Sequence, residues 1–104
     1  MDVKSREEII KFAQKLNSTN LSPLRSGNIS LKAQNNHESG FLITPSGKKY
    51  DSLKADDIVF VSLEGRYDEK GLQPSSEWRF HKDIYLKKAD AKAVVHAHSP
   101  HATA

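Results

Sequence analysis

The sequence predicts a layered α/β (α+β) fold, with helices packed on a sheet. Two stretches, one following Ser5 and one following Pro74, repeat apolar residues every three or four positions, the period of an amphipathic helix. Short runs around Ile29–Ala33, Phe41–Thr44, Ile58–Leu63 and Ala93–His98 alternate or are continuously apolar, as strands do, and turn residues separate them. The resulting order is helix, hairpin, strand, helix, strand and the start of a helix, a succession that a helix-covered sheet accommodates.

Ser5-Arg6-Glu7-Glu8 has the form of a capping box, with Ser5 as N-cap and Glu8 at the third helical position. Ile9, Phe12, Ala13 and Leu16 then form one apolar stripe, which Asn17 and the following Ser18-Thr19-Asn20 and Pro23 bring to an end. Residues 26–33 alternate at Ile29, Leu31 and Ala33 and read as a strand. The polar stretch 34–40 is the turn of a hairpin that returns through Phe41-Leu42-Ile43-Thr44. Pro45-Ser46-Gly47 makes another turn, and 53–57 a helical turn. Ile58 to Leu63 is the strongest strand pattern, Glu64-Gly65 turns it, and Arg66-Tyr67 starts a short return strand. Ser75 or Ser76 caps the second helix. Trp78, Phe80, His81, Ile84, Tyr85 and Lys88 trace its inner face, and Ala89-Asp90 ends it. Ala93 to His98 is the next strand. Ser99-Pro100 then has the form of a helix start, with Pro at the first helical position. On this reading residues 1–104 are the N-terminal part of a single larger domain.

Composition narrows the function classes. The chain has 104 residues, 37% of them hydrophobic, with a mean hydropathy of −0.65, so core burial within it is expected to be incomplete. It has no cysteine, which rules out a disulfide framework and fits a reducing compartment. The charged start of the chain is unlike a signal peptide, and no apolar stretch approaches membrane-spanning length. A soluble cytoplasmic protein with no membrane partner is the expectation. The net charge is +3, but Lys and Arg are scattered in runs no longer than two, with no interleaved aromatic and basic motif. The excess charge reads as solubility with local attraction for a small anion, not as a nucleic-acid surface.

Two sets of residues could carry chemistry. His96 and His98 are two apart on a strand, so both imidazoles fall on one face, the arrangement of a divalent-metal chelate. Glu77, at the start of the preceding helix, is a third ligand or a base. His81 follows Glu77 by one helical turn and is either a rival ligand or a residue that orients a ligand from behind. The ordinary reading of an isolated His-x-His is a pair of surface or core histidines. The second set is three turns, Ser26-Gly27-Asn28, Thr44-Pro45-Ser46-Gly47 and Ser75-Ser76. Their hydroxyls, amide and outward backbone N–H groups could converge on one phosphate. Taken singly, each is also ordinary turn composition. No Gly-x-Gly-x-x-Gly or Walker pattern is present, so nucleotide binding is not indicated.

Taken together and in order, Ser26-Gly27-Asn28-Ile29-Ser30, Ile43-Thr44-Pro45-Ser46-Gly47, Pro74-Ser75-Ser76-Glu77-Trp78-Arg79-Phe80-His81 and Ala93-Val94-Val95-His96-Ala97-His98-Ser99-Pro100-His101 resemble the class II aldolase/adducin family. The resemblance spans nearly the whole chain and about the first half of such an enzyme. It implies a three-layer fold with a mainly antiparallel central sheet flanked by helices, a Zn2+ cofactor, and a homotetramer with active sites between subunits. His96, His98 and Glu77 are then metal ligands, and Glu77 is also the catalytic acid–base. Ser26, Gly27, Asn28, Thr44, Ser46, Gly47, Ser75 and Ser76 are the phosphate-binding positions. A third zinc histidine and a proton-donor tyrosine are expected beyond Ala104.

The activity so implied is reversible cleavage of a ketose 1-phosphate, such as L-fuculose 1-phosphate, into dihydroxyacetone phosphate and an aldehyde. Zinc would polarise the carbonyl and stabilise the enediolate left when the C3–C4 bond breaks. Related activities in the same family are sugar-phosphate epimerisation, where an aspartate usually stands in place of Glu77, and dehydration. Adducin-like members are non-catalytic binding modules that tend to lack the metal histidines.

Overall fold

The computed structural model describes residues 3–18, 28–47 and 52–96. Their elements are α1 (Val3–Ser18), β1 (Asn28–Asn35), β2 (Glu38–Ile43), a 3-10 turn (Ala55–Asp57), β3 (Val59–Ser62), α2 (Trp78–Lys87) and β4 (Ala93–His96). The four strands form one antiparallel sheet in the order β3-β2-β1-β4. This is the layered, mainly antiparallel architecture expected from the sequence.

Side-chain parity along the strands sorts the core into two layers. On one face Ile29 and Leu42 pack with Ile9 and Ala13 of α1, and Leu53 and Ile58 close that cluster. On the other face Phe41, Ile43, Val59, Val61 and Val94 pack with Tyr85 of α2. The sheet is therefore sandwiched between α1 and α2. Arg6 ties α1 to the 3-10 turn by donating to the carbonyls of Ala55 (2.9 Å) and Ile58 (2.5 Å).

Several local expectations change. Helix α1 starts at Val3, so Ser5 lies inside the helix and is not its cap. Phe12 is 50% exposed, because the buried stripe is narrow and centred on Ile9 and Ala13. The hairpin turn is tighter than the polar run implied. Only Asn36 and His37 lie between the strands, with φ of 50° and 72°, the two-residue geometry whose twist matches that of paired strands. Arg66-Tyr67 does not return as a strand. The Arg66 carbonyl instead accepts from the Ser62 N–H, closing a turn. Helix α2 begins two residues later than Ser76, with Glu77 as its N-cap. Ser75 still organises the entry, since its carbonyl accepts from the Trp78 N–H at 3.0 Å. His81 and Tyr85 are buried, whereas Phe80 is 48% exposed and Lys88 lies beyond the last helical turn in solvent.

Gly40 sits in the middle strand β2, opposite Ala33 on one side and Ser62 on the other. A Cβ there would collide with the Val61 carbonyl oxygen, with Phe60 Cζ at 2.6 Å and with Ser62 Cα at 2.9 Å. Two of these atoms belong to the β3 backbone and can yield only if the strands separate. Gly40→Ala should therefore lower stability by about 1–3 kcal/mol, read as a reduced urea midpoint with the m-value kept.

Candidate functional site

The site is built by strand register. Asn28 of β1 is paired with His96 of β4, and Ser30 with Val94. Because residues two apart share a face, Asn28, Ser30, Val94 and His96 all point toward α2. Helix α2 offers His81 and Tyr85 to that face and starts at Glu77 beside it. Glu77 is the meeting point. Its Oε1 accepts from Asn28 Nδ2 at 3.0 Å, and its Oε2 lies 3.2 Å from the buried His96 Nδ1. Phe80 packs its ring edge-on to the His96 imidazole, with centroids 5.2 Å apart, which gives an otherwise exposed phenylalanine a place at the site wall.

Behind this pair runs a buried polar layer. His81 Nε2 is hydrogen-bonded to Asn28 Oδ1, and His81 Nδ1 to Ser30 Oγ at 2.7 Å. Ser30 Oγ is in turn 2.8 Å from Tyr85 Oη. Phe41 lies beneath, its ring 5.2 Å from that of Tyr85 and 6.4 Å from that of His81. Both ring nitrogens of His81 are thus engaged by neutral protein groups. This excludes it as a rival metal ligand and makes it a supporting residue. Burial holds its pKa down to about 4, against a smaller upward pull from Glu77, and His96 adds to the lowering. Burial likewise pushes the Tyr85 phenol above its ordinary value, opposed by its hydrogen bonds to Ser30 and the Val94 backbone. At neutral pH the layer is uncharged up to the Glu77 carboxylate.

Two of the three polar turns meet beside Glu77. The Ser75 N–H donates to the Thr44 carbonyl (2.9 Å), the Ser46 N–H to the Gln73 carbonyl (2.9 Å), and Pro45 bridges to Pro74. Thr44 is buried, and its Oγ1 accepts from the Ile29 N–H at 3.3 Å, which joins the turn to β1 next to Asn28. Ser75 Oγ accepts from the Glu77 N–H at 3.4 Å. Ser46, Gly47 and Ser76 are exposed along the same rim, Gly47 with a φ of 74°. Asn28 is 3% exposed and turned to Glu77 and His81. An amide nitrogen carries two hydrogens, so its bond to Glu77 engages one of them. Ser26, Gly27, His98 and His101 lie outside the described residues. Sequence reasoning gave no role to Ser30 or to the Tyr85 hydroxyl.

The donor set fits a divalent metal ion at Glu77 and His96. An imidazole nitrogen and a carboxylate oxygen converge in a partly buried position. Their separation of 3.2 Å is close to the roughly 3.3 Å between two ligands on a tetrahedral ion with bonds of about 2.0 Å. Among the described residues, no three His, Cys, Asp or Glu side chains come together, so this is two-ligand geometry. A separate depression of about 420 Å³, lined by residues including Arg6, Glu38, Phe60, Arg66 and Leu72, includes none of the predicted site residues.

The sheet carries the Glu77–His96 pair and the adjoining polar turns on its α2 side, in an antiparallel three-layer scaffold. Residues 7–104 match the class II aldolase and adducin N-terminal domain, and the chain belongs to this family. It is 41% identical over 101 residues to the L-fuculose phosphate aldolase of Escherichia coli K12, covering 97% of this chain and 45% of that protein. It is also 41% identical over 98 residues to the 5-methylthioribulose-1-phosphate/5-deoxyribulose-1-phosphate aldolase of Rhodospirillum rubrum, covering 94% and 42%. A solved L-fuculose 1-phosphate aldolase superposes with a TM-score of 0.86 at 34% identity, over 99% of this chain and 48% of that one. The chain thus spans less than half the length of these relatives. No helix of the described residues is long and apolar enough to cross a membrane.

The buried His81 gives the structure a pH signature. Its pKa is about 4 when folded and near the ordinary 6.5 when unfolded. Between these values the unfolded chain binds more protons, so stability is full above about pH 6.5 and falls as pH drops toward 4. The expected loss from this residue is up to about 3 kcal/mol. Urea unfolding of the metal-free chain across this range should show the decline, and His81→Gln should flatten it.

Proposed function

We propose that the chain carries the metal- and phosphate-binding half-site of a zinc-dependent aldolase acting on a ketose 1-phosphate, which it cleaves to dihydroxyacetone phosphate and an aldehyde. The observation that carries this reading is Glu77, a carboxylate held between the Asn28 amide and the His96 imidazole at the mouth of the Thr44–Gly47 and Ser75–Ser76 turns. Family membership and the activities of the named relatives support it. The equal identity to an L-fuculose phosphate aldolase and to a 5-methylthioribulose-1-phosphate/5-deoxyribulose-1-phosphate aldolase favours ketose 1-phosphates as a class and leaves the sugar tail open.

His96, His98 and Glu77 would hold the zinc ion, with a further ligand supplied from outside residues 1–104. Bound zinc supplies Lewis-acid polarisation of the substrate carbonyl. Binding, orientation and proton transfer fall to the protein's own residues. Hydroxyls of the 44–47 and 75–76 turns, with Ser26, Gly27, Asn28 and Gly47, hold the phosphate and so fix the position of the reacting carbons, since the Thr44, Ser46 and Ser75 N–H groups are spent on backbone carbonyls. The start of α2 favours the anion electrostatically. Glu77 moves the proton at the carbon whose bond is broken or made. One of its oxygens is kept by Asn28, and the other lies 3.2 Å from His96 Nδ1. A homotetramer that completes the site across subunits belongs to the same proposal.

The test is release of dihydroxyacetone phosphate by the full-length protein, measured over a panel of ketose 1-phosphates with and without a chelator. Cleavage of at least one, lost on chelation and restored by zinc, is expected. Glu77→Gln should lower turnover by ~10²–10⁴-fold at saturating zinc. Zinc-loaded protein that cleaves no member of the panel would refute the aldolase reading.

A further inference from the structure

The buried layer behind Glu77 has a direction, and the donor and acceptor inventory fixes it. An ionised carboxylate only accepts, so Asn28 must present its NH2 to Glu77 Oε1. Asn28 Oδ1 then faces His81 and can only accept, so His81 Nε2 must carry the ring proton. With the ring neutral, Nδ1 is a lone pair, and Ser30 must donate its hydroxyl proton to it. Ser30 has no second proton, so its contact with Tyr85 requires the phenol to donate. Four side chains on β1 and α2 are thereby locked in one orientation each. Asn28, Ser30, His81 and Tyr85 are 3%, 0%, 0% and 2% exposed, so water is not at hand to exchange for a misoriented partner.

We propose that His81 and Ser30, backed by Tyr85, form a positioning relay that holds the Asn28 carboxamide in one orientation. One Glu77 oxygen is then held by an amide hydrogen while the other is turned to His96. The relay orients; it does not conduct protons, because a carboxamide has no ready way to pass one on between His81 and Glu77. Its effect on a bound metal rests on the site proposed above, but its geometry is that of the protein alone. A flipped Asn28 would set its carbonyl oxygen against the Glu77 carboxylate and its NH2 against the Nε2 proton. Both contacts are repulsive, so the relay works by making the wrong orientation costly.

The tautomer can be read directly by long-range 1H–15N spectra of the imidazoles in the full-length, metal-free protein near neutral pH. His81 should be protonated at Nε2 alone. Ser30→Ala removes the donor to Nδ1 but leaves the Nε2 proton on Asn28 Oδ1, so the tautomer should hold while the Nδ1 15N shift moves and the zinc dissociation constant rises about tenfold, the lower end for loss of a residue that supports a metal ligand. Ser30→Thr, which restores the hydroxyl, should recover both. Tyr85→Phe leaves the Ser30 donation intact and should keep the Nε2 tautomer. Unaltered protein with His81 protonated at Nδ1 would overturn the relay, whichever variants fold. A folded Ser30→Ala protein with unchanged zinc affinity would overturn its positioning role. Failure of the unaltered protein to bind zinc would sink the metal reading, while the tautomer would still decide the relay.

Discussion

The register between β1 and β4 is the constraint on which the rest of the site depends. It sets Asn28 opposite His96 and Ser30 opposite Val94. A slip of one residue would turn every one of these side chains of β1 to the α1 face. What holds the register is largely apolar and lies on the opposite side of the sheet. Ile29 has to meet Ile9, Ala13 and Leu42, and Leu31 and Ala33 extend the same row. At the far end the Lys32 N–H donates to the Lys92 carbonyl at 2.8 Å, continuing the pairing past β4. The hydrophobic core on one face thus specifies where the polar chemistry lies on the other.

Helix α2 supplies the remaining coordinate. Tyr85 is buried against the Phe41–Val61 cluster and fixes the middle of the helix. At its start Trp78 packs edge-on to Tyr67, with ring centroids 5.9 Å apart, and carries the Arg79 guanidinium over its face at 4.5 Å. Gly65, with a φ of 90°, brings the β3 turn to Trp78 so closely that a Cβ would come within 3.3 Å of the indole. The two anchors leave Glu77 at the N-cap, where the helix dipole favours its negative charge. The ladder from Ser75 to Thr44 then sets the polar turns beside it.

Much of this was legible in the sequence because it depends on period. Alternation at Ile29 and Leu31, the apolar run from Ile58 and the three- and four-residue steps from Trp78 to Tyr85 gave the layers. The four polar segments gave the family. Element ends were less legible, for a local reason. Ser5, Ser75 and Ser76 have cap chemistry, but whether a residue caps depends on backbone angles that tertiary contacts decide, as at Glu77. Ser30 was illegible for a different reason. On an alternating strand, a serine between Ile29 and Leu31 looks solvent-facing. In the folded chain the other face is covered by α2, so the same residue is fully buried. Phe12 and Phe80 fail in the opposite sense: each lies at helical spacing but off the centre of the buried stripe.

Burial and direction in the Ser30–His81–Asn28 layer are one property. Protonating His81 would create a charge where desolvation already outweighs the attraction of Glu77, as the direction of its pKa shift records. It would also make Nδ1 a donor. Ser30 would then have to accept from it and send its own proton to Tyr85, whose phenol would have to turn its proton elsewhere. A charged His81 therefore breaks the hydrogen-bond pattern as well as the charge balance. The neutral ring can keep only one tautomer without orphaning a buried group. Burial by Phe41 and Tyr85, which holds the ring neutral, is thus also what lets the chain end in an amide hydrogen at Glu77.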